Sequence, residues 1–137
     1  MKLEKGKGTI LVVDDEAKVL EVLESYFSYL GYTPVGFTSP TDALEAFAAA
    51  PEQFALVTTD FRMPEINGQE LTVQLKQIRS DVPVILVSGN LDWAMEKGLR
   101  TDLFFDLLHK PVKLAEFASS IAKAIKSNCG SGVFRKD

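Results

Sequence analysis

Short apolar runs alternate with longer stretches of helical periodicity along almost the whole chain. Thr9-Ile-Leu-Val-Val13 is a β-branched run that stops abruptly at acidic residues, the mark of a strand buried on both faces. From Ala17 to Leu30 the apolar residues Val19, Leu20, Val22, Leu23, Tyr26, Phe27 and Leu30 recur at helical spacing, and Gly31 suits the residue just past a helix end. Thr33 to Phe37 predicts a second strand. Ser39-Pro40 opens a second helix, with Ser as N-cap and Pro at the first helical position, and Pro51 marks its end. Phe54 to Thr59 predicts a third strand, and Gly68 to Arg79 a third helix with Leu71, Leu75 and Ile78 on one face. Val82 to Val87 predicts a fourth strand and Asp92 to Leu99 a short fourth helix. Leu103 to Leu108 predicts a fifth strand, and Val112 to Lys126 a fifth helix with Leu114, Phe117, Ile121 and Ile125 on one face.

Strands alternating with helices at this rhythm predict an α/β domain, a parallel sheet with helices on both faces and right-handed crossovers. Residues 9–126 carry the pattern. The polar ends, an N-terminal arm 1–8 and a C-terminal tail 127–137, are expected to be flexible. At 137 residues the chain is long enough for one full core. Lys plus Arg number 15 against 19 Asp plus Glu, a net charge of −4 that speaks against direct nucleic-acid binding across the domain. The single cysteine, Cys129, excludes an internal disulfide and a cysteine-rich zinc site, and it reads as a surface thiol. No run approaches the length of a membrane span, and the start has no signal-peptide core. A cytoplasmic protein without membrane contact is the expectation.

In open α/β sheets, ligands sit beyond the carboxyl ends of the strands. Those ends carry chemistry here. The first strand ends in Asp14-Asp15-Glu16, the third in Asp60, the fourth in Ser88 and the fifth in Lys110. In a parallel sheet these ends point the same way. Two carboxylates ~4 Å apart repel by about 4 kcal/mol at an effective dielectric near 20. Three carboxylates against one lysine therefore call for a divalent cation, and hard oxygen donors suit Mg²⁺ or Mn²⁺ better than zinc. A carboxylate beside such an ion can act as a nucleophile toward phosphorus. Asp60 is the best candidate: a lone acid after an apolar strand, opening the loop Phe61-Arg-Met-Pro-Glu-Ile-Asn-Gly68. Read alone, Asp14, Asp15 and Asp60 also fit helix N-caps.

Val12-Val-Asp-Asp-Glu16, Thr59-Asp-Phe-Arg-Met-Pro-Glu-Ile-Asn-Gly68, Val87-Ser-Gly89 and His109-Lys-Pro111 together resemble the response-regulator receiver (CheY-like) domain of two-component signalling. The resemblance runs from about Thr9 to Lys126. It implies a flavodoxin-like (βα)5 doubly wound five-stranded sheet of order 2-1-3-4-5. It implies that Asp60 accepts a phosphoryl group and that Asp15 binds Mg²⁺ directly. Asp14 would bind it largely through water, with the Arg62 backbone carbonyl completing the protein ligands. Ser88 and Lys110 would hold phosphoryl oxygens, and the Lys110–Pro111 bond would be cis. It further implies a phosphohistidine donor on a sensor histidine kinase or phosphotransfer protein. An output partner would dock on the face made by the fourth helix, fifth strand and fifth helix, with the chain a monomer or a phosphorylation-dependent dimer. The phosphoacceptor is a signalling domain in this reading and not an enzyme. Two other readings stand beside it: a phosphorylation-independent receiver-like binding module, and an aspartate-nucleophile phosphohydrolase. The chain reads as free-standing, or as part of a hybrid kinase or longer regulator.

The sequence departs from the family at Leu107, where an aromatic switch residue is usual. Alternation along the strand places Phe104 on the opposite face from Leu107, and Phe105 on the same face but two residues back. Arg62 is long enough to lie across a phosphoryl group, and Asn90 flanks the same place. His109 reads as a packed or solvated side chain, Trp93 as an interface anchor or a partly buried core residue. The Gly6-Lys-Gly8 cluster lacks phosphate-loop spacing.

Overall fold

A computed structural model describes residues 3–135, with side chains up to residue 127. Five strands form one parallel sheet: β1 (Thr9–Val13), β2 (Thr33–Phe37), β3 (Phe54–Thr59), β4 (Val84–Ser88) and β5 (Asp106–His109). Their order is β2-β1-β3-β4-β5, as the resemblance implied. The helices are α1 (Ala17–Tyr29), α2 (Pro40–Ala49), α3 (Gly68–Ile78), α4 (Leu91–Glu96) and α5 (Leu114–Arg135).

Strand alternation divides the core into two layers. Ile10, Val12, Leu56, Ile85, Val87 and Leu108 face α1 and α5, where Phe27 and Phe117 meet edge-on at 4.8 Å. Leu11, Val13, Val57, Val84 and Leu86 face α2, α3 and α4, against Phe47, Leu71, Leu75 and Ala94. β1 and β4 are buried on both faces, which is why both read as continuous apolar runs. The helix starts follow local chemistry. The Ser39 hydroxyl accepts from the Asp42 amide at 3.2 Å. Asn67 and Glu70 close a reciprocal capping box at the start of α3.

The boundaries depart from expectation where proline and turns intervene. β4 starts at Val84, two residues late, because Pro83 has no amide to donate and lends the sheet only its carbonyl, to Val57. β5 starts at Asp106, because Thr101–Leu103 is wound into a 3₁₀ turn. The backbone bends at Phe105, so alternation counted back from Leu107 does not reach Phe104. Phe104 is buried with Leu107 on the α2–α3–α4 side, not on the opposite face as expected, and Phe105 is exposed.

Parts of the two ends make defined contacts and structure. Leu3 packs on the core, the Gly6 amide donates to the Leu30 carbonyl at 2.9 Å, and the Lys5 ammonium lies 4.9 Å over the Tyr29 ring. Gly31 takes φ +101° against the Gly6 carbonyl, a turn that a Cβ would block. At the other end α5 continues past Lys126 to Arg135. The side chain of Cys129 and residues 136–137 lie outside the described residues. Among the described residues no helix is long and apolar enough to cross a membrane.

Candidate functional site

Asp14 and Asp15 follow β1, Asp60 follows β3, Ser88 ends β4 and Lys110 follows β5. Val13 pairs with Thr59 and Ser88 with His109 in the sheet, so the next residues along stand side by side. Asp14, Asp15 and Asp60 each offer a carboxylate oxygen, all within 4.8 Å of one another. The Lys110 ammonium reaches into this group, 2.8 Å from Asp14 Oδ2, 3.1 Å from Asp60 Oδ2 and 3.9 Å from Glu16 Oε1. Asp15, Asp60, Ser88 and Lys110 line a cleft of about 670 Å³ together with Arg62, Asn90 and Trp93.

The backbone aims the acids. Asp14 Oδ1 accepts the Glu16 amide at 2.9 Å, and Asp60 Oδ1 accepts the Phe61 amide at 2.7 Å. Each acid thereby presents its Oδ2 to the cation. The N-caps of α1 to α4 are Glu16, Ser39, Asn67 and Asn90, and α5 begins at Leu114, far along the chain from these acids, so Asp14, Asp15 and Asp60 do not serve as caps. The loop after Asp60 closes through the Gly68 amide, which donates to the Phe61 carbonyl at 2.8 Å. A Cβ at Gly68 would collide with the Asp60 carbonyl oxygen, so the acid and the start of α3 approach this closely only with glycine.

Burial raises the Asp60 carboxyl above the ordinary range; the Lys110 charge pulls it down, and Asp14 pushes it up again. Burial alone would lower the Lys110 ammonium, but its contacts with Asp14 and Asp60 outweigh that and leave it raised. Asp14 is fully buried, and its Oδ2 has no hydrogen-bond partner among the described residues; Lys110 faces it as an ion pair off hydrogen-bond alignment. Three carboxylates against one ammonium make a hard, anion-rich donor set, which fits Mg²⁺ or Mn²⁺. Ser88 is buried, and its Oγ accepts the Asn90 amide at 3.2 Å, leaving its proton for an oxygen in the cleft. The Lys110–Pro111 bond is cis.

Other sequence candidates land elsewhere. The Arg62 guanidinium rests on the Trp93 ring, 4.8 Å from its centroid, instead of lying over Asp60. Trp93 is half-buried, with Phe61 edge-on at 5.8 Å. His109 is exposed, Nδ1 standing 2.6 Å from the Lys110 carbonyl oxygen, and takes no part in the acidic group. Two supporting features escaped the sequence reading. Glu65 adopts φ 74°, and its carboxylate accepts from Ser39 Oγ at 3.2 Å and Thr41 Oγ1 at 3.1 Å, tying the β3–α3 loop to α2. The capping box of α3 was visible as Asn67-Gly-Gln-Glu70.

The model of the response regulator receiver domain family matches residues 10–122. The chain belongs to that family. The receiver is a signalling domain of two-component systems and in general not an enzyme. The uncharacterized transcriptional regulatory protein YkoG of Bacillus subtilis is 32% identical over 89% of this chain and 53% of its own length. Sensor kinase CckA of Brucella abortus is 30% identical over 88% of this chain and 13% of its own length. This receiver thus spans about half of the one relative and a small part of the other. Among solved structures, the response regulator TrrA of Thermotoga maritima, in complex with Mg²⁺-BeF, superposes with a TM-score of 0.77 at 25% identity, over 85% of this chain and 98% of that one.

Proposed function

We propose that this receiver is a phosphorylation switch in which Asp60 accepts a phosphoryl group from a phosphohistidine on a sensor histidine kinase or phosphotransfer protein. The carrying observation is the Lys110 ammonium placed between Asp14 and Asp60, at 2.8 and 3.1 Å, at the carboxyl edge of the sheet. Asp15, Asp60 and the Arg62 carbonyl would hold Mg²⁺, with Asp14 acting largely through water. The bound ion supplies positive charge that offsets the crowded carboxylates and the incoming phosphoryl oxygens.

Asp60 Oδ2 attacks phosphorus; the P–N bond to the donor imidazole breaks, and a P–O bond to the carboxylate forms. Lys110 takes one phosphoryl oxygen and the Ser88 hydroxyl donates to another, neutralising charge as transfer proceeds. These two groups are then drawn toward the modified acid, and the α4–β5–α5 face changes its preference for an output partner. The chain acts in the cytoplasm, as a monomer or a phosphorylation-dependent dimer, without touching nucleic acid itself. A sensor kinase and a transcriptional regulatory protein among its relatives support such partners on either side of the switch.

A small acyl-phosphate donor with Mg²⁺ is expected to add one phosphoryl group, seen by intact mass, and Asp60→Asn to abolish it. Labelling that persists in Asp60→Asn moves the acceptor elsewhere. An unmodified wild type favours the phosphorylation-independent module instead, for which Leu107, lacking a polar tip, is the supporting observation. The phosphohydrolase reading loses its general acid, because the position it needs holds Arg62, stacked on Trp93.

A further inference from the structure

Arg62 stands two residues past the acceptor and lines the same cleft, yet among the described residues its guanidinium forms no ion pair or hydrogen bond. Its face lies on the indole of Trp93, in α4. We propose that Arg62 is a positioning residue held in reserve on Trp93. When Asp60 carries a phosphoryl group, the guanidinium leaves the ring for a phosphoryl oxygen, and α4 loses one of its two ties through Trp93 to the β3–α3 loop. This rests on the phosphoacceptor reading above.

The charges favour the exchange. Phosphorylation replaces one carboxylate charge with nearly two on the phosphoryl group. Lys110 is already divided between Asp14 and Asp60 and cannot answer the increase alone. A guanidinium fork matches phosphoryl oxygens, and such charge-assisted bonds outweigh a single contact on a partly exposed ring. The Arg62 side chain is exposed, so what it gives up when it moves is its contact with the Trp93 ring.

α4 is built to respond. It has six residues and no side-chain cap at Asn90, and Ala94 is its only fully buried residue. Trp93 connects it to the acceptor loop through Arg62 on the ring face and Phe61 at the edge. Lys97 also stands 5.5 Å from that ring, but it sits just past α4 and ties the ring to no other element. The Arg62–Trp93 pair is a direct route from the loop after the acid to that helix.

Trp93 is the only tryptophan, so its emission reports this one place. The full chain is treated with acetyl phosphate at fixed Mg²⁺, and the extent of modification is read by intact mass on the same sample. The Arg62 Cδ protons, shifted upfield by the ring, are expected to lose that shift, the Nε–H resonance to move downfield, and Trp93 emission to change. Arg62→Met is expected to show altered emission before any donor is added, and to lose the change per phosphoryl group added. If a fully modified wild type keeps its Arg62 resonances and Trp93 emission, or if Arg62→Met gives the wild-type emission change per phosphoryl, the exchange is refuted while the phosphoacceptor reading stands. If the wild type takes no phosphoryl group, both fall.

Discussion

Replacing Lys110 by methionine keeps the unbranched stem nearly to its full length and removes the charged tip, which isolates what the ammonium does. At an effective dielectric near 20, a cation 2.8 Å from one carboxylate oxygen and 3.1 Å from another gains about 6 and about 5 kcal/mol respectively. Much of this gross attraction offsets the cost of taking all three groups out of water. Breaking a buried pair by deleting one partner leaves the other uncompensated and typically costs ~3–5 kcal/mol. Two acids are stranded here, one of them fully buried, so a loss toward the upper part of that range is expected at neutral pH.

The pH dependence gives the prediction its sign. Asp60 is already raised in the fold, and Lys110 is what pulls it down. In Lys110→Met the folded carboxyl therefore rises further and binds protons more tightly than in the unfolded chain. Linkage then makes the variant lose stability as pH climbs from the ordinary carboxylate range through the raised folded value. Its penalty vanishes in acid, where both states are protonated, and is complete only above the raised folded value. In the wild type the raised Lys110 contributes stability that is full below the ordinary lysine value and is lost as pH rises through the folded one. Urea unfolding of both proteins from pH 3 to pH 8 is the assay, repeated with Mg²⁺. The divalent ion competes with Lys110 for the same oxygens, so it is expected to stabilise the variant more than the wild type. A midpoint that matches wild type at neutral pH, or a difference that does not shrink in acid, would refute the electrostatic account of the site.

Other expectations follow from the packing around that site. Gly68→Ala drives a methyl group into the Asp60 carbonyl, so it is expected to destabilise the fold and weaken Mg²⁺ binding together, as read by unfolding and by Mg²⁺ titration of Trp93 emission. Unchanged Mg²⁺ affinity would show that the loop relaxes freely. Asn67→Ala removes half of the capping box and is expected to cost ~1 kcal/mol in urea unfolding. Phe117→Ala empties a fully buried position against Phe27 and Tyr26, and is expected to cost ~3–5 kcal/mol without altering the midpoint shift that Mg²⁺ produces.

The chemistry was legible in the sequence because a parallel sheet converts chain order into spatial convergence. Once Thr9–Val13, Phe54–Thr59 and Asp106–His109 are strands of one parallel sheet, the residues after them share an edge, and Asp14, Asp60 and Lys110 meet without further instruction. What escaped depends on contacts between loops, for which the sequence carries no period. Arg62 and Trp93 lie 31 positions apart on separate loop and helix segments, and only the packing of α4 against the β3–α3 loop decides that the guanidinium lies on a ring instead of across the acid. Phe104 was misplaced for a related reason: alternation holds only while the chain stays extended, and the 3₁₀ turn and the bend at Phe105 reset the faces before β5 begins. The two surprises fall on neighbouring elements, α4 and the entry to β5. This is where the departure at Leu107 had already removed the expected aromatic, and local pattern is weakest where this receiver differs from its family.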